Sequence, residues 1–182
     1  LLNSSLGGKW INVHGYKKTL LRALSIMVIG LLMYSLSSWL VVHYGDARIL
    51  IFKDQVPYGY FIFLLGSYLM GTSAALLQVV INPYIAAYEL PNTQPVQRIN
   101  IVCAINSFGT TIAPFFVTGI IFAGVTLESV TADQLMFPFL MITLCIIITT
   151  LITSRLNLPD IQGTRVDNNN KPKHSIWSCL LY

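Results

Sequence analysis

Four long apolar segments dominate this chain, and none of them carries a formal charge. The segments without Asp, Glu, Lys or Arg are Ala23 to Val42, Gln55 to Tyr88, Ile99 to Leu127 and Gln134 to Ser154. A helix of about 20 residues crosses the hydrocarbon core of a bilayer, which is roughly 30 Å thick. The pattern therefore predicts an all-α fold, a polytopic membrane helix bundle.

The composition supports a membrane protein over a soluble helical domain. Hydrophobic residues make up 54% of the chain and charged residues 10%, and the mean hydropathy is +0.66. A large soluble all-helical domain would need charged outer faces on helices that here are apolar all round. We therefore expect the chain to lie in a lipid bilayer.

The distribution of basic residues predicts the orientation in the membrane. All of the eleven Lys and Arg residues except Arg48 and Lys53 lie in the first connection, in the third connection or in the carboxyl-terminal tail. Cytoplasmic loops carry the excess of Lys and Arg in membrane proteins. We expect these three regions to be cytoplasmic, next to anionic lipid, and the net charge of +4 to reflect this topology. The scattered basic residues do not predict nucleic-acid binding.

The sequence contains no pattern typical of an enzyme or a metal site. Cys103 and Cys145 lie inside apolar spans and Cys179 in the tail, without disulfide or metal spacing. No Ser/His/Asp or Cys/His constellation occurs, and every acidic residue lies in a predicted loop or in the tail. We expect a protein that is not an enzyme and that needs no cofactor and no metal.

Both ends of the chain predict a fragment of a longer protein. Residues 1–11 resemble the last turns of a membrane helix that begins upstream, and residues 175–182 begin a new apolar, aromatic run. We expect a partial amino-terminal transmembrane bundle over residues 1–155. Residues 156–182 are then the start of a central cytoplasmic loop.

The second span has a polar face near its end. Gly71, Ala75, Gln78 and Asn82 share one side of a helix, and Ser67 extends it by a turn. The small residues predict close helix packing, and the two amides predict contact with a substrate path. Alternatively, the amides join helices, and Asn82 satisfies backbone groups that Pro83 leaves without a partner.

The third span has a second polar face. Cys103, Asn106, Ser107 and Thr110 fall within an arc of about 100°. The Asn106 amide has donors and an acceptor, which suit neighbouring sugar hydroxyls. The hydroxyls of Thr110 and Thr111 could instead bond to backbone carbonyls around a kink at Pro114.

The connections and polar spans resemble one transporter family. Residues 8–18, Gly-Lys-Trp-Ile-Asn-Val-His-Gly-Tyr-Lys-Lys, predict a tight turn with Gly8 at a close helix approach and Gly15 supplying backbone freedom. Their spacing resembles the gating loop between helices two and three of the major facilitator superfamily. Gln78-Val-Val-Ile-Asn-Pro-Tyr84, Gln97-Arg98-Ile-Asn100 and Ala104-Ile-Asn-Ser-Phe-Gly109 resemble its fucose–galactose–glucose:proton symporters.

This resemblance implies a fold and an activity. The chain would run from the end of helix two through helix six of the superfamily fold, in a bacterial inner membrane. The implied function is secondary active transport of a hexose or related sugar by alternating access, together with the remainder of the transporter. Because Gln78 replaces the family's Glu, coupling to a proton, coupling to sodium and simple equilibration of the sugar all stay open. In the resembling family the positions that match Gln78, Cys103 and Asn106 contact sugar or take part in coupling. With Asn82 and Thr110 from the two polar faces, they are the predicted substrate-binding residues. The implied gating residues are Gly8, Asn12, Gly15, Lys17, Lys18 and Arg98.

Three positions depart from the family pattern. Asn12 stands where the family has Asp, Gln78 where it has Glu, and Cys103 where it has Gln. A different class stays open beside the transporter, namely a small helical membrane module or a pore component that assembles with partners. A third possibility is a non-functional truncated gene product.

Overall fold

The computed structural model describes residues 2–44, 48–51, 54–121 and 131–159. Its elements are α1 (Leu2–His43), β1 (Arg48–Ile51), β2 (Asp54–Pro57), α2 (Tyr58–Ala87), α3 (Pro95–Phe116), a π-helical turn (Val117–Ile121) and α4 (Ala132–Arg155). Four stretches are long and apolar enough to cross a membrane: Val13–His43, Tyr58–Ala87, Pro95–Gly119 and Gln134–Arg155. The predicted multi-pass helical membrane fold is confirmed. Residues 122–127 of the predicted third span lie outside the described residues.

A β-hairpin precedes α2, where the sequence predicted no strand. β1 and β2 pair antiparallel, with Ile49 opposite Val56 and Leu50 opposite Gln55. The predicted span began at Gln55, but α2 begins at Tyr58 because Pro57 is extended, with φ −66° and ψ 146°. Proline has no backbone N–H, so it leaves no donor without a partner at the boundary between the strand and the helix.

The first connection is a reversal at one residue. Within α1 only Gly15 leaves helical geometry, with φ 79° and ψ 170°, a region that side chains with a Cβ rarely adopt. The Arg22 guanidinium lies 5.6 Å from the centre of the Trp10 ring, whereas twelve residues of straight helix would separate them by about 18 Å. The chain therefore folds back at Gly15.

The close approach predicted at Gly8 occurs at Gly7 instead. A Cβ on Gly8 would have no atom within 4 Å, whereas a Cβ on Gly7 would lie 3.1 Å from Val79 Cγ1 and 3.2 Å from Leu76 Cδ2. Gly7 is one helical step, about 100°, away from Gly8, so the two glycines face different sides. The prediction for Gly8 is wrong, and α2 packs against the neighbouring glycine.

The residues of α1 that follow Gly15 pack antiparallel to α2 along a seam of small residues. We define the small-residue seam as Ala23, Gly30 and Ser37 of α1 with Ser73, Gly66 and Gly59 of α2. The Ser73 Oγ donates to the Ala23 carbonyl at 2.7 Å, and the Ser37 Oγ donates to the Gly59 carbonyl at 2.7 Å. A Cβ on Gly66 would lie 3.1 Å from the Gly30 carbonyl oxygen. The seven-residue spacing on both helices is the repeat of left-handed helix pairs.

The close packing predicted for α2 is wrong at Gly71, whereas Ser67 on the same face accepts a hydrogen bond from the Tyr34 hydroxyl of α1 at 3.0 Å. Gly71 is exposed, and a Cβ there would meet nothing within 4 Å. It lies roughly 160° around the helix from Ser73, on the side opposite the small-residue seam. The prediction failed because α2 carries two sets of small residues, and only one faces the small residues of α1.

α1 lies between α2 and α4, whereas α3 projects from the end of α2. The Ser38 Oγ donates to the Ala132 carbonyl at the start of α4, and the Tyr34 ring lies 5.2 Å from the Phe139 ring. Arg98 is the buried residue of α3. Within the described residues, the substantial helix contacts of α3 are with α2 alone.

Candidate functional site

The two amides predicted on α2 lie on its uncovered side. Gln78 and Asn82 are both exposed, and they lie on the face opposite the small-residue seam. Pro83 follows Asn82 inside the helix, where it removes one backbone hydrogen bond. Unpaired amides facing lipid are costly, so this face fits contact with another helix or with a polar ligand.

The second predicted face runs along α3. Cys103, Asn106 and Thr110 are all exposed and share one side of the helix. The Thr110 hydroxyl donates to the Ser107 carbonyl at 2.9 Å, and the Thr111 hydroxyl donates to the same carbonyl at 2.8 Å. Both threonines therefore use their donors on the backbone, as the alternative interpretation predicted. The Thr110 oxygen keeps only acceptor capacity for a ligand.

The helix carrying this second face is distorted after the polar residues. Pro114 lies inside α3, and the π-helical turn begins three residues later at Val117. The Thr118 hydroxyl donates to the Pro114 carbonyl at 2.8 Å, which satisfies one backbone acceptor in this turn. Such π-helical turns interrupt the regular i→i+4 ladder and occur often at functional sites.

The structure does not join the two predicted faces. Gln78 and Asn82 share one face of α2, while Cys103, Asn106 and Thr110 share one face of α3. No hydrogen bond links these two groups among the described side chains. The contact between the helices lies instead at the connection, where Tyr84, Ile85 and Tyr88 of α2 meet Ile101 and Val102 of α3 around a small pocket.

Arg98 closes the carboxyl-terminal end of α2. Its Nε donates to the Ile85 carbonyl at 3.1 Å, and its Nη2 donates to the Ala86 carbonyl at 2.9 Å. Its Nη1 donates to the Thr93 carbonyl at 2.9 Å and to the Thr93 hydroxyl at 3.0 Å. The side chain is 8% exposed. The guanidinium donates to carbonyls that would otherwise lack donors at the helix end. Its positive charge also interacts favourably with the negative end of the helix dipole.

The remaining predicted gating residues surround the reversal at Gly15. The Lys17 Nζ donates to the Leu156 carbonyl at 2.7 Å, which joins the reversal to the end of α4. Lys18 is exposed. The Asn12 side chain lies outside the described residues. Arg98 lies at the start of α3, so the predicted gating residues form two separate structures and not one cluster.

Sequence reasoning missed the aromatic residues that link these structures. The rings of Tyr16 and Tyr84 lie 5.7 Å apart, and the rings of Tyr84 and Tyr88 lie 6.1 Å apart. The Tyr84 hydroxyl donates to the Pro159 carbonyl at 3.4 Å. Tyrosines concentrate at the membrane–water interface, and their position at the ends of the predicted spans could have indicated this cluster.

The described part of the chain holds no group of three or more His, Cys, Asp or Glu side chains that could bind a metal ion. The predicted site residues on α2 and α3 carry amides, a hydroxyl and a thiol. These groups form hydrogen bonds of the kind that recognise polyols, since each amide both donates and accepts.

The chain is similar in sequence to two bacterial transporters. It is 28% identical over 153 residues to a protein named glucose/galactose transporter in Brucella abortus biovar 1 (strain 9-941) and, to the same extent, to its namesake in Brucella abortus (strain 2308). The match covers 83% of this chain and 34% of each transporter. The chain thus spans about a third of the length of the relatives that it matches.

The other comparisons give no further relatives. No protein-family model matches the chain. No solved structure matches it at a significant level.

Proposed function

We propose that this chain is part of the amino-terminal helix bundle of a hexose transporter of the major facilitator superfamily, in its fucose–galactose–glucose symporter branch. The observation that carries the proposal is the similarity over 153 residues to two glucose/galactose transporters. Residues 1–155 would form the bundle and residues 156–182 the start of a central loop. Helix one and a second bundle would complete the transporter, and the two bundles would rock about a central site.

The sugar would bind between the two uncovered polar faces. The exposed amides of Gln78, Asn82 and Asn106 offer donors and acceptors to adjacent hydroxyls of a hexose. Cys103 and Thr110 lie on the same face of α3 as Asn106 and would line the wall beside the ligand.

The coupling ion would not be carried by Gln78. A carboxylate inside a membrane protein can take up and release a proton and so link proton flow to substrate movement, but an amide does not titrate. The transporter would couple to a proton or sodium through residues outside this chain, or it would only equilibrate its sugar.

The chain would span the cytoplasmic membrane of a bacterium with its basic connections inside. The reversal at Gly15, the α2–α3 connection and the tail would be cytoplasmic, because they carry most of the basic residues. Single cysteines labelled from either side test this orientation. Position 18 should react only from the inside and position 54 only from the outside, and the reverse accessibility would overturn the topology.

Sugar uptake into vesicles tests the function. The genomic sequence on either side of the chain should encode the remaining helices, and the protein that includes them should show saturable uptake of glucose or galactose. The 182 residues alone should show none, because the transport site lies between two bundles. Saturable uptake by the isolated chain would contradict the proposal, and ion conductance by it would favour a pore component.

A further inference from the structure

We propose that a pocket at the basic end of the bundle binds the phosphate headgroup of an anionic phospholipid. We call it the tyrosine–lysine pocket. It lies between the reversal in α1, the last turns of α2 and the segment after α4. Its walls include Tyr16, Lys17, Val80, Ile81, Tyr84 and Leu158.

Lys17 lines the pocket, and its amine has no anionic partner among the side chains that the structure describes. The Lys17 ammonium has three donors, and the Leu156 carbonyl occupies one of them at 2.7 Å. Glu89 is the one acidic residue whose side chain the structure describes; it is exposed in the α2–α3 connection. A carbonyl cannot neutralise a cation, so Lys17 still favours an anion. A phosphate oxygen could accept a second hydrogen bond from it.

Other basic residues add to the positive field at this end. Lys18 and Arg22 follow Lys17 in α1 and are exposed, and Arg155 lies in the last turn of α4, one residue before the carbonyl that Lys17 binds. Basic pockets between membrane helices on the cytoplasmic side bind acidic lipid headgroups.

The walls of the pocket fit a lipid better than a small free anion. Val80, Ile81 and Leu158 give an apolar surface for the first carbons of an acyl chain. The paired rings of Tyr16 and Tyr84, 5.7 Å apart, have the amphipathic character of side chains at headgroup level. A single ligand that is anionic at one end and apolar at the other satisfies both parts of the pocket.

Lipid binding by the purified 182-residue chain in detergent tests the proposal. Native mass spectrometry would compare phosphatidylglycerol with phosphatidylcholine of the same acyl chains. We expect tighter binding of phosphatidylglycerol, and about fivefold weaker binding in Lys17→Gln, which corresponds to roughly 1 kcal/mol. Lys18→Gln is the matched control, because it removes the same charge from the next residue but not from the pocket. Its binding should change by less than about twofold.

Two further measurements test whether the pocket itself binds the ligand and whether the ligand is a lipid or free phosphate. Ile81→Trp keeps every charge but fills the pocket, so it should also lower the preference for phosphatidylglycerol, and it provides a test if Lys17→Gln does not fold. Millimolar inorganic phosphate should not displace the lipid. The proposal would be overturned by equal losses of lipid binding in Lys17→Gln and Lys18→Gln, by full lipid binding in Ile81→Trp, or by displacement of the lipid by phosphate. So would equal binding of the two lipids by the parent chain.

Discussion

α1, α2 and α3 are each apolar enough to cross a membrane. In the described chain, however, α1 and α2 pack against each other, whereas α3 is mostly uncovered. α1 and α2 meet along the small-residue seam, where two serine hydroxyls bond to carbonyls of the facing helix. α3 has one buried residue, Arg98, at its start. Lipid is as apolar as leucine, so hydrophobicity alone does not bring helices together in a membrane. Small residues at matching positions on two helices bring the helices together. α3 has no such partner helix in the described chain.

The largest effect should come from filling the small-residue seam. A Cβ on Gly59 would lie 2.9 Å from the Ser37 carbonyl oxygen, which is backbone and cannot turn aside. Gly59→Leu should therefore lower the free energy of unfolding by about 3 kcal/mol or more, since overpacking forces the helices apart. Titration of the chain with sodium dodecyl sulfate, followed by circular dichroism, measures the loss.

The control for this substitution lies on the other side of the same helix. Gly71 is exposed with no atom within 4 Å of a built Cβ. Gly71→Leu should change the free energy of unfolding by no more than about 0.5 kcal/mol. If Gly71→Leu destabilised the chain as much as Gly59→Leu, the packing of α1 on α2 would be wrong.

The helices could be predicted from the sequence, but the packing face of α2 could not. The absence of charge over about 20 residues is a property of one segment, so the four spans follow from the sequence alone. A packing face depends on two segments. Choosing Gly59, Gly66 and Ser73 over Ser67, Gly71 and Ala75 requires knowing that α1 presents Ala23, Gly30 and Ser37 at the same interval.

The second prediction concerns the only buried part of α3. Arg98→Met keeps the length of the side chain but leaves the carbonyls of Ile85 and Ala86 without donors. We expect the end of α2 to be destabilised by about 2 to 3 kcal/mol, the cost of losing hydrogen bonds from a charged donor. Hydrogen–deuterium exchange should show faster exchange of the Tyr88 amide, which donates to the Tyr84 carbonyl.

Arg155→Met is the matched control, because Arg155 is exposed in the last turn of α4. It should leave the exchange of the Tyr88 amide unchanged. Unchanged exchange in Arg98→Met as well would mean that the hydrogen bonds of Arg98 do not hold the connection.

The direction in which the Arg98 side chain folds could not be predicted from the sequence. The family resemblance implied a gating residue, and its position beside a predicted span suggested a cation at the lipid surface. The structure turns its side chain back onto α2, because Thr93 and the last turn of α2 present carbonyls there. Neither charge nor spacing reveals which way a long side chain folds. The start of α3, in contrast, is fixed by a local contact, in which the Gln94 N–H donates to the Gln97 side-chain oxygen at 3.0 Å.

A smaller effect is expected on the uncovered face of α2. In the complete transporter that we propose, Gln78→Ala should weaken sugar binding by about 1 to 3 kcal/mol, because a sugar hydroxyl would lose its partner. Gln78→Glu should introduce a new pH dependence of uptake or exchange, since it adds a group that takes up protons. Equilibrium binding of labelled glucose and uptake between pH 5 and 8 measure the two effects. If both variants behave like the parent at every pH, Gln78 only joins helices.

The smallest effect should come from Thr110, whose donor is already used. Its hydroxyl donates to the Ser107 carbonyl at 2.9 Å, so a sugar would gain only an acceptor from it. Thr110→Val should therefore weaken sugar binding in the proposed complete transporter by about 0.5 to 1.5 kcal/mol, the range of one neutral hydrogen bond. Thr111→Val is the control, because Thr111 makes the same backbone bond outside the arc of the polar face. Equal binding by the two variants would remove Thr110 from the site, whereas a loss above about 3 kcal/mol would mean that Thr110 releases the Ser107 carbonyl and donates to the sugar.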